Sequence, residues 1–125
     1  MLVNGVDIIE IHRIKGVADR YGRRFLRRIY TDGEIAYCRG RAPQLASRFA
    51  AKEAVLKALG TGWRDGIAWT DIEVRRDPAG APSIRLSGEA QRIAESKGIT
   101  GWLVSISHTA SLAQASVIGT GNATG

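Results

Sequence analysis

Cysteine is nearly absent from this chain: Cys38 stands alone, so no internal disulfide can form. The two histidines lack the cysteine partners that a structural zinc site needs. No apolar run approaches the ~18 residues that would span a bilayer. The opening MLVNGVDIIEIHRI sets Asp7 and Glu10 inside the first apolar stretch, which does not read as a signal peptide. Repeats, low-complexity tracts and long linkers are missing too. These absences exclude secreted disulfide scaffolds, zinc fingers and membrane spans, and leave a soluble, cytoplasmic domain as the expectation. With 125 residues, 44% hydrophobic and 24% charged, the chain can build one core and not two.

Acidic charge is also scarce, and unevenly so. The chain holds 18 Lys and Arg against 12 Asp and Glu, a net +6. Arg13, Lys15, Arg20, Arg23, Arg24, Arg27 and Arg28 fall in one short segment against Asp19 alone. Outside that segment the signs balance, so it carries the whole excess. Such a block attracts an acidic partner, either nucleic acid or an acidic protein surface. The plain alternative is a solvated basic helix.

Hydrophobic patterning gives an α+β class. Leu2 to Ile9 reads as a strand with Gly5 permitting close backbone approach. Glu10 to Tyr30 is helical in pattern, with Gly16 and Gly22 as weak points. Thr31-Asp32-Gly33-Glu34 offers a capping box for a short helix, Glu34 to Arg39. Pro43 suits the first turn of a helix that runs to Leu59 and stops at Gly60. Asp71 to Arg76 and Ser83 to Leu86 read as short strands, and Ser87 as the cap of a helix from Gly88 to Lys97. Trp102 to His108 alternates, with Trp102, Val104, Ile106 and His108 on one face and Leu103, Ser105 and Ser107 on the other. Leu112 to Ile118 returns as its hairpin partner. Residues 1–118 are expected to form one domain, and 119–125 a disordered tail.

The helix containing RFAAKEAVLKAL is the most informative segment. At about 100° per residue, Arg48 and Lys52 fall inside the stripe that holds Leu45, Phe49, Leu56 and Leu59. Two cations in an apolar stripe need something negative to meet them. Glu53 and Lys57 lie at the stripe's border, one turn apart, as in an ordinary surface ion pair. Ala50, Ala51, Ala54 and Ala58 make the opposite side narrow enough for close packing. Gly60-Thr61-Gly62 follows, where free backbone N–H groups could meet an anion. With the basic side chains, this suggests a ligand carrying several phosphates.

Asp7 is an acid at the end of an apolar strand. It either caps the next helix or, together with Glu53, holds a cation against phosphate oxygens in the manner of Mg²⁺. His108 is a further candidate at a strand end.

Three segments, Gly5-Val6-Asp7-Ile8 with Arg13-Ile14, Arg48 to Ala54 with Lys57, and Val104 to Thr109, resemble holo-(acyl carrier protein) synthases in order and spacing. These are the small class of 4′-phosphopantetheinyl transferases, and the likeness extends from Leu2 to Ile118. It implies transfer of the phosphopantetheine arm of coenzyme A to a serine of apo acyl carrier protein, releasing adenosine 3′,5′-bisphosphate. It further implies an α+β fold that assembles as a homotrimer with sites at the subunit interfaces. Asp7 and Glu53 would be ligands of Mg²⁺, and Lys57 would neutralise the diphosphate. Arg48, Lys52, Gly60, Thr61, Gly62, His108 and Thr109 would line the nucleotide. The base for the serine proton would be Glu53 or Asp7. Acyl carrier proteins are acidic, so Arg13, Arg20, Arg24 and Arg28 would bind the carrier, with Tyr21 and Phe25 as apolar contacts. On this reading neither nucleic acid nor a membrane is a partner; the rival is a binding module that uses the arginine block without chemistry.

The sequence departs from the family pattern twice. Asn4 stands where an aliphatic residue is usual, and Gly80-Ala81-Pro82 lacks the basic residue of the family's Gly-Lys-Pro or Gly-Arg-Pro. Arg75, Arg76 and Arg85 are the nearby cations that could replace it.

Overall fold

A computed structural model describes residues 1–62 and 65–121. Strand β1 (Leu2–Glu10) is followed by helices α1 (Ile11–Tyr21), α2 (Arg23–Ile29), α3 (Asp32–Cys38) and α4 (Ala42–Leu59). A 3₁₀ turn, Trp69–Asp71, leads into the hairpin β2 (Ile72–Arg76) and β3 (Pro82–Leu86). Helix α5 (Gly88–Ser96) and the hairpin β4 (Gly101–His108) and β5 (Leu112–Thr120) complete the order. The α+β class is therefore the observed one.

β1, β5 and β4 form an antiparallel sheet in that spatial order. Alternation puts Val3, Gly5, Asp7 and Ile9 of β1 inward, while Leu2, Asn4, Val6 and Ile8 point out. Asn4 is therefore on the outer face, and its polarity costs the core nothing. The inward positions of β5 are small: Ala113, Ala115 and Val117 are buried. Helix α4 lies across this inner face, against β1 and β5. Its Ala50, Ala51 and Ala54 are fully buried, so small residues meet small residues and the backbones approach closely.

The basic helical segment breaks at one glycine and not the other. Gly16 stays inside α1, whereas Gly22 has φ +56° and separates α1 from α2. The Thr31 capping box forms as expected, since the Thr31 hydroxyl accepts from the Glu34 N–H and the Glu34 carboxylate accepts from the Thr31 N–H. Cys38 is wholly buried, and burial pushes its thiol up to about 11, so it is a core residue.

The expected tail begins too early. Gly119 and Thr120 pair with Val3 and Leu2 and also with Trp102 and Gly101. β5 lies between two strands, so its register continues for as long as both partners do. Residues 122–125 lie outside the described residues. Among the described residues, no helix is long and apolar enough to cross a membrane.

Candidate active site

The site begins with a close approach of β1 to α4. A Cβ built on Gly5 would lie 2.0 Å from the Ala54 carbonyl oxygen. Only a glycine there lets the strand lie on the helix. Two residues on, at the next inward position but one pleat along, Asp7 emerges beside the following turn of α4. The Lys57 ammonium donates to Asp7 Oδ1 at 2.9 Å and to the Val6 carbonyl at 3.0 Å. Asp7 is not a helix cap, because α1 begins after Glu10. Glu53 precedes Lys57 by one turn, on the same border of the helix. Asp7 and Lys57 thus meet where β1 crosses α4, with Glu53 one turn before Lys57 on the helix and the Lys57 side chain half exposed.

His108 shares the inward side of the sheet but sits two strands away. Ala113 of β5 pairs with both His108 and Ile9, and Ala115 pairs with both Asp7 and Ile106. Strand spacing then separates Asp7 from His108 by roughly 12 Å between Cα atoms. His108 is exposed, and the Thr109 hydroxyl accepts from the Ser111 and Leu112 N–H groups.

Arg48 faces elsewhere. About 180° around α4 from Lys57, it is 2% exposed, and its guanidinium lies 4.4 Å from the Tyr37 ring centroid. Arg41 and Arg76 approach the same ring at 5.3 and 5.5 Å. A cavity of ≈ 520 Å³ opens here, lined by Gly33, Tyr37, Arg48, Glu73, Val74, Arg75 and Arg76. Arg48 donates to the Ser47 hydroxyl, but its Nε has no partner among the described residues. A buried donor without an acceptor thus lies beside Arg75 and Arg76, with the Glu73 carboxylate, paired to Arg75, on the same wall.

Two expectations need correction. Lys52 cannot line a nucleotide in this chain, because it is completely buried and its ammonium is already saturated. It donates to Glu34 Oε1 at 2.8 Å, to the Trp69 carbonyl at 3.1 Å and to the Ile72 carbonyl. Burial draws its pKa below the ordinary lysine value, and Glu34 opposes that shift. The negative group demanded by a cation in an apolar stripe is thus a protein carboxylate. The glycine loop offers no free N–H groups either. Those of Gly60 and Thr61 go to Lys57 and Leu56 carbonyls, and that of Gly62 goes to Asp65.

The roles of Glu34 and Tyr37 are what reading the sequence missed, whereas Arg75 and Arg76 on β2 were already marked there as candidate replacements for the basic residue lacking at position 81. A signal for Glu34 was present in the capping box, but a box describes only local bonds. Nothing in the spacing announced that its carboxylate would also reach Lys52 and the Val74 N–H.

The arginine block lies outside the core. Arg13, Arg20, Arg24 and Arg28 are all exposed. Tyr21, Arg24, Phe25 and Arg28 line a shallow cleft of ≈ 370 Å³. Aromatic rings between cations at one cleft suit an acidic, partly apolar protein surface.

Asp7 of the strand is thus paired to a helical lysine, with Glu53 one turn before that lysine on the same helix. Residues 4–111 match the 4′-phosphopantetheinyl transferase superfamily, and the chain belongs to that family. It is 50% identical over 117 residues to a holo-[acyl-carrier-protein] synthase of Solibacter usitatus, covering 91% of this chain and 94% of that one. A synthase of Herpetosiphon aurantiacus is 48% identical, covering 97% and 100%. The fold superposes on the Helicobacter pylori synthase in complex with coenzyme A with a TM-score of 0.85 at 34% identity, over 94% of this chain and 99% of that one.

Gly5→Ala tests the approach on which the site depends. The added methyl should push β1 off α4 and cost about 2–3 kcal/mol, as overpacking does. The midpoint of chemical unfolding should fall accordingly, and an unchanged midpoint would show that the contact has slack.

Proposed function

We propose that this protein transfers the 4′-phosphopantetheine group of coenzyme A to a serine hydroxyl of apo acyl carrier protein, releasing adenosine 3′,5′-bisphosphate. The observation that carries this reading is the Asp7–Lys57 pair beside Glu53, in a chain of this family. In the reaction the serine oxygen forms a bond to the near phosphorus of the diphosphate. The bond from that phosphorus to the nucleotide-side oxygen breaks, and the serine proton passes to a base. Glu53 and Asp7 are the two carboxylates able to receive it, directly or through water. Lys57, half exposed, brings positive charge to the diphosphate.

Asp7 and Glu53 would also hold Mg²⁺. Asp7 on β1 and Glu53 on α4, one turn before the lysine that Asp7 meets, offer two hard carboxylate donors, the type this ion takes. The remaining positions would go to phosphate and water oxygens, as a hard, strongly hydrated ion prefers. When bound, the ion supplies further charge to the diphosphate.

Arg48 would take the nucleotide's phosphate, with Arg75 and Arg76 beside it where the family's basic residue at position 81 is lacking. Arg85 does not line that cavity. Because Arg48 and Lys57 face opposite ways on α4, one ligand touching both must take them from two chains. A homotrimer with shared sites would supply that arrangement. The outer sheet face supports such assembly, since Leu2, Val6, Ile8, Leu103 and Ile118 are exposed together there. His108, Thr109 and the Gly60-Thr61-Gly62 loop are proposed to line the nucleotide through side chains and shape. The exposed cations Arg13, Arg20, Arg24 and Arg28, with Tyr21 and Phe25, would dock the acidic carrier in the cytoplasm.

Four measurements check these roles. Incubation of an apo carrier with this protein, coenzyme A and Mg²⁺ should add one phosphopantetheine mass, and a chelator should abolish the gain. Glu53→Gln should slow transfer about 10²–10⁴-fold while leaving carrier binding intact; a variant that loses both equally would contradict the assigned role. If sites are shared, mixing the Lys57→Ala and Arg48→Ala chains, each impaired at coenzyme A concentrations below the unmodified protein's KM, should restore part of the activity, and a mixture no better than its components would place both residues in one chain's site. Arg24→Glu with Arg28→Glu should raise KM for the carrier about tenfold or more and leave KM for coenzyme A alone. Binding of the carrier without any mass gain would favour the non-catalytic binding module.

A further inference from the structure

Glu34 and Lys52 form a fully buried ion pair that the reaction described above does not use. Their bonds run to three different elements. Glu34 belongs to α3 and Lys52 to α4. Glu34 Oε2 accepts from the Val74 N–H of β2 at 2.9 Å, and Lys52 donates to the Ile72 carbonyl of the same strand. Glu34 Oε1 also receives the Thr31 N–H at 3.0 Å, which ties the start of α3. The hydroxyl of Thr31 in turn donates to Glu73, again on β2.

Among the described residues, the cavity around Arg48 is lined by the same three elements. Gly33 and Tyr37 come from α3, Arg48 from α4, and Glu73, Val74, Arg75 and Arg76 from β2. Three guanidinium groups surround the Tyr37 ring, and like charges at that range repel. Each guanidinium has an anchor of its own, Arg41 at the Tyr37 and Cys38 carbonyls, Arg48 at the Ser47 hydroxyl and Arg76 at the Gly80 carbonyl, but none of these bonds sets α3, α4 and β2 against one another. We propose that Glu34 and Lys52 are positioning residues for the arginine cavity, setting α3 and β2 against α4 so that Tyr37, Arg75 and Arg76 meet Arg48 at the spacing a phosphate needs. An apolar pair could fill the same volume. It could not set the register of a strand against two helices, because only directional bonds to Val74, Ile72 and Thr31 do that.

This inference rests on the reading of the cavity as a phosphate site for coenzyme A. Its test is the double variant Glu34→Gln with Lys52→Met, which removes both charges and strands neither. Transfer kinetics with Mg²⁺ and an apo carrier should be referred to the folded fraction from circular dichroism, with coenzyme A affinity measured by calorimetry. A positioning role raises KM and Kd for coenzyme A about fivefold or more and holds kcat per folded chain within about twofold, a change of roughly 1 kcal/mol in binding. A purely structural role lowers the folded fraction and leaves KM where it was; that result overturns the proposal. Glu34→Asp keeps the charge and shortens its reach, so it should show the same split in smaller degree, and it decides the matter if the double variant does not fold. Arg48→Ala separates the two ideas. If it raises KM and the pair variants do not, the positioning role alone is wrong. If Arg48→Ala leaves KM unchanged, the phosphate reading of the cavity is wrong and the positioning role falls with it.

Discussion

The separation between one strand and one helix governs this molecule. Gly5 sits on the Ala54 carbonyl with no room for a side chain between them. That contact sets the depth at which β1 crosses α4, and everything at the site is counted from it. Asp7 is two residues beyond Gly5 and Lys57 three residues beyond Ala54, so their side chains meet at hydrogen-bond distance. Alanines at 50, 51 and 54 and small residues on β5 extend the same close packing along the helix. The apolar gain is modest per residue, but close approach places polar groups to within tenths of an ångström, which phosphate chemistry requires.

Helix α4 carries charge on both of its long sides, and the two sides answer to different partners. Toward β1 it presents Glu53 and Lys57, partly open to solvent and able to meet a ligand. Toward α3 and β2 it presents Arg48 and Lys52, both buried. Lys52 is met inside the protein by Glu34, at a desolvation cost that only full hydrogen bonding offsets. Arg48 is left with an unpartnered Nε beside a cavity. One buried cation is therefore structural and its neighbour one turn earlier is available to an anion. Because the two sides face apart, a ligand spanning them implies a second chain, and the exposed apolar outer face of the sheet is suited to bring one.

The surface repeats this division of labour. The arginines of α1 and α2 are exposed around a cleft with Tyr21 and Phe25, remote from the buried cations of α4. Exposed charge of one sign accelerates encounter with an acidic partner and contributes little to stability. One short chain thus keeps two separate sets of cations, one exposed on α1 and α2 and one buried on α4.

Much of this was legible before any coordinates. Local rules sufficed for the element order, the break at Gly22, the box at Thr31, the stop at Gly60 and the alternation of β4, since each depends on a few neighbouring residues. The same rules marked Asp7, Glu53 and Lys57, because an acid in an apolar strand and a border pair on a helix are visible in one dimension. They also showed that Arg48 and Lys52 required negative partners. They could not name those partners. Glu34 is 18 residues from Lys52 and 40 from Val74, distances that only the packing of α3 and β2 on α4 closes. The N–H groups of Gly60 and Thr61 looked free but close the end of α4 on the Lys57 and Leu56 carbonyls, and that of Gly62 meets Asp65. β5 ran past Ile118 because two flanking strands were there to pair with it. The sequence by itself determined which charged residues the chain has to place, for charge and polarity are written into side chains. Tertiary structure decided which of those charges meet each other and which are left for a ligand, because that depends on distances between segments far apart along the chain.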